Sequence, residues 1–311
     1  MYRAAVIAIV YINLVFVASV RAQSPDAMPQ LERLPGYEPF EGYGTPRPLE
    51  DWPPAPPVSD GWCHQLLPDG LIFDNYLAGT KESRLALHYF SIANDSSLFD
   101  GILGARIGIW RYGTTNVFRP EGWQLDVEGS GQVRLDMPQQ RDVRSVDFRA
   151  GVPLTYGYGA HRVKFGYYHL SSHVGDEFLL KNAGFNRLNY SRDVLILGYS
   201  YYVTQKLRVY GEVGWSFYFD ICDPWEFQFG AEYAPCGDTG FRGAPFWAVN
   251  AQLRQEVNYG GAFTFEAGWA WRGANANMLR TGLFYLNGKS NQYSFYDEHE
   301  EQIGVGLWYD F

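Results

Sequence analysis

From about Ser83 onward the chain alternates between apolar and polar residues in short runs separated by turn-rich links. The clearest run is 122–136. Trp123, Leu125, Val127, Val133 and Leu135 occupy its odd positions, and Gln124, Asp126, Glu128, Gln132, Arg134 and Asp136 its even ones. Successive residues of a strand point to opposite faces, so this run predicts a strand with one apolar and one polar wall. The same parity returns in Val146–Leu154, Leu207–Phe217, Trp225–Tyr233, Trp247–Leu253 and Phe263–Trp269. Twelve segments follow the pattern: 83–92, 101–112, 122–136, 143–157, 160–171, 190–204, 206–219, 224–233, 245–256, 261–272, 278–288 and 301–311. Most are near the roughly 9–11 residues that a tilted strand needs to cross a bilayer core.

A β-sandwich also alternates, but it leaves its polar faces in water. Here the polar parity carries charges of both signs, and the apolar parity carries large aromatics near segment ends, as in interfacial girdles. The even segment count completes an all-β reading: an antiparallel transmembrane β-barrel of about 12 strands. Composition agrees, with 17% aromatic residues, 34 glycines and only 19% charged residues. Ile303, Val305, Leu307, Tyr309 and Phe311 alternate up to a terminal aromatic. This resembles the last-strand signal of outer-membrane barrels, which implies recognition of the strand ending in Phe311 by the barrel-assembly machinery. The formal net charge is −9 and no basic run occurs, which argues against nucleic-acid binding.

The remaining residues predict how the chain is delivered. Arg3, an apolar stretch from Ala4 to about Val20, and small residues at Val20 and Ala22 read as a cleaved signal peptide over 1–22; the alternative is a single anchor. Ten of the 17 prolines fall in 23–60, predicting an extended periplasmic linker or a tail without a role. A pre-barrel segment, 61–82, precedes the barrel, 83–311. With both barrel ends periplasmic, the long links 172–189 and 289–300 face outward from the cell, as barrels usually arrange them. Cys63 and Cys236 then share the periplasmic side and are candidates for a disulfide, while Cys222 is external. Charges of the polar parity, including Arg106, Asp126, Glu128, Arg149, Arg208, Glu212 and Glu266, either line a pore or fill the lumen as a salt-bridged plug. His88, His161, His173 and His299 read as loop or interface residues.

Chemistry concentrates in the fifth segment. His169 and Ser171 share the apolar, lipid-facing parity of Val163, Phe165 and Tyr167, two residues apart on one face. A polar pair facing lipid is costly unless partnered. His beside Ser, with a third group to orient the ring, is the layout of an activated nucleophile. The rival reading is an interfacial His in an aromatic belt beside a loop-edge Ser. His169-Leu170-Ser171, followed by Phe185-Asn186-Arg187-Leu188, resembles the active-site region of outer membrane phospholipase A. The resemblance implies a twelve-stranded barrel that hydrolyses acyl esters of outer-membrane lipids, uses calcium and acts as a homodimer. It assigns Ser171 as nucleophile, His169 as base and Asn186 as the orienting group. Ser172-His173 departs from the Asn-Gly of that family, and the interval to Asn186 is longer. Asp176 and Glu177 are candidate oxygen ligands for calcium. Leu67-Pro68-Asp69-Gly70-Leu71-Ile72 and Tyr76-Leu77-Ala78-Gly79-Thr80-Lys81-Glu82, with the 169–177 stretch, are similar to a bacterial envelope family known as domain of unknown function 1207 (DUF1207), which implies a barrel but no activity. The alternative function is a non-enzymatic narrow pore or structural envelope barrel.

Overall fold

The computed structural model describes residues 61–92 and 97–311, so the predicted signal peptide and linker lie outside the described residues. The strands are β1 (Cys63–Leu66), β2 (Leu85–Ile92), β3 (Ser97–Gly113), β4 (Gly122–Asp136), β5 (Asp142–Tyr158), β6 (His161–Val174), β7 (Tyr190–Tyr202), β8 (Leu207–Asp220), β9 (Trp225–Tyr233), β10 (Ala244–Arg254), β11 (Gly261–Arg272), β12 (Met278–Lys289) and β13 (His299–Asp310). From β2 to β13 each strand pairs antiparallel with the next, and β13 returns to β2, with Tyr309 opposite Leu85 and Gln302 opposite Ile92. The twelve strands therefore close into a barrel, which removes the free edges an open sheet would expose. Every predicted segment becomes a barrel strand, with ends moved by a few residues.

The alternation decides the walls. On β4, Gln124, Asp126, Gln132 and Arg134 are buried inside, while Trp123 and Val127 stand exposed outside. On β6, Arg162, Lys164, Tyr168 and Leu170 are buried inside, and Val163, Phe165 and Tyr167 are exposed outside. The outer band of Leu, Val, Phe, Tyr and Trp is the surface such a barrel presents to acyl chains. No helix among the described residues is long and apolar enough to cross a membrane.

The pre-barrel segment does what alternation could not foretell. β1 pairs with the Trp110–Gly113 end of β3, beyond the stretch of β3 that β2 covers. The chain then enters the barrel, and Phe73, Tyr76, Leu77 and Ala78 are fully buried there. The Tyr76 hydroxyl donates to Glu212 Oε2 at 2.9 Å, and the Leu77 amide donates to Glu232 Oε2 at 3.0 Å. Arg84 clamps the turn by donating to the Tyr76 and Leu77 carbonyls. From the opposite rim the β12–β13 link folds inward, burying Ser290, Gln292, Tyr293, Ser294 and Phe295. The two insertions meet at Asp147 of β5. Its carboxylate accepts from Lys81 Nζ, from Ser172 Oγ, and from the Tyr293 amide at 3.1 Å.

The predicted lumenal charges pair with one another along the inner wall, mostly between neighbouring strands. Arg106 meets Asp126 at 2.6 Å, Arg149 meets Glu128 at 2.9 Å, Lys164 meets Glu212 at 2.6 Å and Arg280 meets Glu266 at 2.6 Å. The inner wall of β10–β13 is partly apolar: Phe246, Ala248, Ala270, Phe284, Leu286 and Trp308 form a cluster that receives Leu77 and Ala78 of the insertion. His88 is not an interface residue; it is buried inside β2, stacked 4.8 Å from the Phe284 ring.

The cysteines are all free. Cys63 lies on β1 beside β3, whereas Cys236 follows β9, half the ring away, and the candidate Cys63–Cys236 bridge is not formed. Cys222 is buried in the β8–β9 turn, where burial pushes its thiol up to about 11 against the pull of Arg192. At pH 8 roughly one Cys222 in a thousand is then thiolate, the reactive form. Iodoacetamide followed by mass spectrometry is expected to modify exposed Cys63 rapidly and Cys222 only after unfolding; equal rates would contradict the buried placement.

Candidate active site

β6 and β7 build the site through their register. His169 lies opposite Asp193 and Ser171 opposite Ser191, with all four at outward parity. The neighbouring residues on that face, Phe165, Tyr167, Leu195 and Leu197, are exposed apolar or aromatic side chains. The polar group thus interrupts the apolar outer wall, toward the rim opposite the end of β13. At Asp193/Val194 the β7–β8 register shifts, so that Asp193 faces Tyr218 and Val194 faces Ser216. Such a bulge re-aims a side chain and recurs beside functional positions.

The Asp193 carboxylate holds the cluster together. Its Oδ1 lies 2.9 Å from His169 Nδ1 and accepts the Tyr167 hydroxyl at 2.6 Å. The Ser216 hydroxyl donates to the Asp193 carbonyl at 3.1 Å, tying β8 to the same point. A carboxylate at Nδ1 selects the tautomer with the proton on that nitrogen and leaves Nε2 as the basic atom. His169 is 41% exposed and Asp193 18%, so the imidazole is open to the outside while its partner is shielded. Ser171 Oγ is on the same face, two residues along β6, and is not hydrogen-bonded to His169. Catalytic hydrogen bonds are often long before substrate binds.

The other predicted site residues lie elsewhere. Asn186 is exposed in the β6–β7 link and makes no hydrogen bond to His169. Phe185 before it packs on Phe178 at 5.2 Å and Phe295 at 5.4 Å, which fastens the link over the rim. Asp176 and Glu177 open a short helix, α1 (Asp176–Lys181), and are also exposed. Among the described residues no three His, Cys, Asp or Glu side chains converge on a metal position. Two adjacent exposed carboxylates do not fit the six to eight oxygens calcium takes, and no step here runs through that ion. Sequence reading passed over Asp193. Its signal was present: in 190–204 it is the one charged residue on the parity of Leu195 and Leu197.

No curated protein matches the chain. Among solved structures, the calcium-bound dimer of Salmonella typhi outer membrane phospholipase is 13% identical, covering 73% of this chain and 90% of its own, with a TM-score of 0.48. Escherichia coli outer membrane phospholipase A is 13% identical over 73% and 92%, at 0.47. A KdgM porin is 11% identical over 73% and 99%, at 0.40. At these identities the likeness concerns the barrel fold alone, which the strand pairing establishes independently. Over residues 62–311 the chain matches the family described as "Protein of unknown function (DUF1207)", and it belongs to that family.

Proposed function

We propose that this chain is an outer-membrane acyl-ester hydrolase that meets its lipid substrate at the outer wall of the barrel. The observation that carries this reading is the 2.9 Å contact between His169 Nδ1 and Asp193 Oδ1 on the outward face, with Ser171 beside it. In this reading Ser171 Oγ attacks the ester carbonyl while His169 Nε2 takes its proton. Collapse of the tetrahedral intermediate breaks the ester C–O bond, and His169 returns the proton to the departing alcohol oxygen. Water, deprotonated by the same nitrogen, then releases the fatty acid and restores Ser171. Asp193 keeps the ring in the required tautomer, and Asn186 contributes from the link only if that link rearranges. The rim where β13 ends faces the periplasm, β13 ending at Phe311 is the strand offered to the assembly machinery, and pairing of two outer walls gives a homodimer.

Full-length protein in detergent–phospholipid micelles is expected to release fatty acid, and Ser171→Ala to reduce release to background. Absence of release from phospholipid, lysophospholipid and lipid A by the unsubstituted protein sinks the proposal. The filled lumen favours, as the second reading, a non-conducting structural barrel over the narrow pore.

A further inference from the structure

Beneath the insertion, at the rim where β13 ends, lies a cavity of about 40 Å³. Asp74 of the insertion, Arg119 of the β3–β4 link, Lys206 of the β7–β8 turn, Arg208 of β8 and Arg272 at the end of β11 supply its charged lining, with Glu232 and Asp310. Most of the guanidiniums inside the barrel face a carboxylate. Arg208 faces Glu232 at 2.7 Å, and Asp310 is taken by Arg280 at 3.0 Å and Arg84 at 3.2 Å. Arg119, Lys206 and Arg272 form no ion pair among the described residues.

Their donors are also left over. Arg119 uses Nη2 on the Gln205 carbonyl at 2.5 Å and lies flat over the Tyr202 ring at 3.3 Å, and its Nη1 is buried without an acceptor. Arg272 reaches the Ala276 carbonyl at 3.3 Å, and its Nε is buried without an acceptor. Arg208 is 1% exposed, and its Nε is likewise unpartnered. Arg111 and Arg162 also lack carboxylates, but carbonyl and amide oxygens satisfy them and neither has an orphaned donor. Burial alone would raise the Asp74 pKa, yet Arg272, Arg208 and Arg119 hold the carboxyl below its ordinary value. Arg119 and Arg272, neither in an ion pair, thus share the cavity with the Asp74 carboxylate, and Lys206 and Phe311 line it as well. Buried donors without acceptors cost free energy that a bound oxyanion would recover.

We propose that this vestibule binds an oxyanion of phosphate type, gripped by Arg119 and Arg272 with Lys206 at the entrance. A water needs about 10–15 Å³, so the cavity has room for one small oxyanion. The group is either free phosphate or the phosphomonoester head of a lipid in the adjoining leaflet. Calorimetric titration of the full chain in detergent with inorganic phosphate, and separately with phosphatidic acid in mixed micelles, distinguishes these sources. Saturable one-to-one binding of either is expected. It should weaken by about tenfold, or about 1.4 kcal/mol, in each of Arg119→Gln and Arg272→Gln. Asp74→Asn, which removes the competing charge, should tighten it. Lys206→Gln lies in an exposed turn and keeps the test available if the arginine variants do not fold; it should weaken binding and flatten its salt dependence. No saturable binding of either probe, or binding indifferent to Arg119, Arg272 and Lys206, overturns the proposal.

Discussion

Asp193→Ala is expected to slow fatty-acid release by about 10⁴-fold, comparable to the loss when the carboxylate of a Ser-His-Asp triad is disabled. The imidazole would remain on β6 with Ser171 beside it, but nothing at Nδ1 would select the tautomer that leaves Nε2 basic. On the proposed reading the apolar wall binds the substrate, so kcat should fall and KM should hardly move. Tyr167→Phe removes one of the two donors to the same carboxylate oxygen and should cost about tenfold, in line with the loss of a single hydrogen bond to a charged group. Asn186→Ala is the comparison that gives the experiment its force, because the sequence motif assigns the orienting role to Asn186 and the β6–β7 register assigns it to Asp193. Initial rates on a chromogenic acyl ester decide between them. If Asn186→Ala is the crippling change and Asp193→Ala is mild, the His169–Asp193 contact does not orient the base.

The second large effect concerns the interior. Asp147 is 1% exposed and joins three elements: Lys81 of the insertion, Ser172 of β6, and the Tyr293 amide of the inward-folded link. Asp147→Ala leaves the Lys81 ammonium buried without a carboxylate, with Gln132 Oε1 at 2.9 Å and the Tyr293 ring at 4.7 Å as its remaining partners. Removing one member of a buried ion pair costs about 3–5 kcal/mol, because the remaining charge is uncompensated. Urea unfolding in detergent should show that loss. Planar-bilayer recordings should be silent for the parent barrel and show openings for Asp147→Ala, since the same residue anchors both lumen insertions. The double change Asp147→Asn with Lys81→Met removes both charges at similar volume and should regain most of the stability. A steady conductance in the parent protein would contradict the packed interior.

The two expectations differ in how far they could be read without coordinates. The twelve barrel strands, their walls and the outward placement of His169 and Ser171 were legible in the alternation. A strand exposes a face every second residue, and lipid outside against a polar interior writes that geometry into residue type. The plug was legible only as one of two alternatives. Nothing in Leu67–Arg84 alternates, because an irregular segment enclosed by a barrel satisfies its backbone through side chains that come from strands far away in the chain, such as Arg208 and Glu232. The apolar inner wall of β10–β13 could not be foretold for the same cause: a face that packs on an insertion is as apolar as one that packs on lipid.

Local pattern, then, determined a closed β-barrel with a greasy exterior, because each strand's face depends only on its own neighbours. Tertiary structure alone decided which carboxylate stands behind His169, that Cys63 and Cys236 lie half a ring apart, and that two inserted segments meet at Asp147. Those facts depend on register between strands and on where distant segments come to rest. A residue's partner across a sheet is set by the shift of one strand against another, and composition and periodicity within either strand leave that shift unwritten.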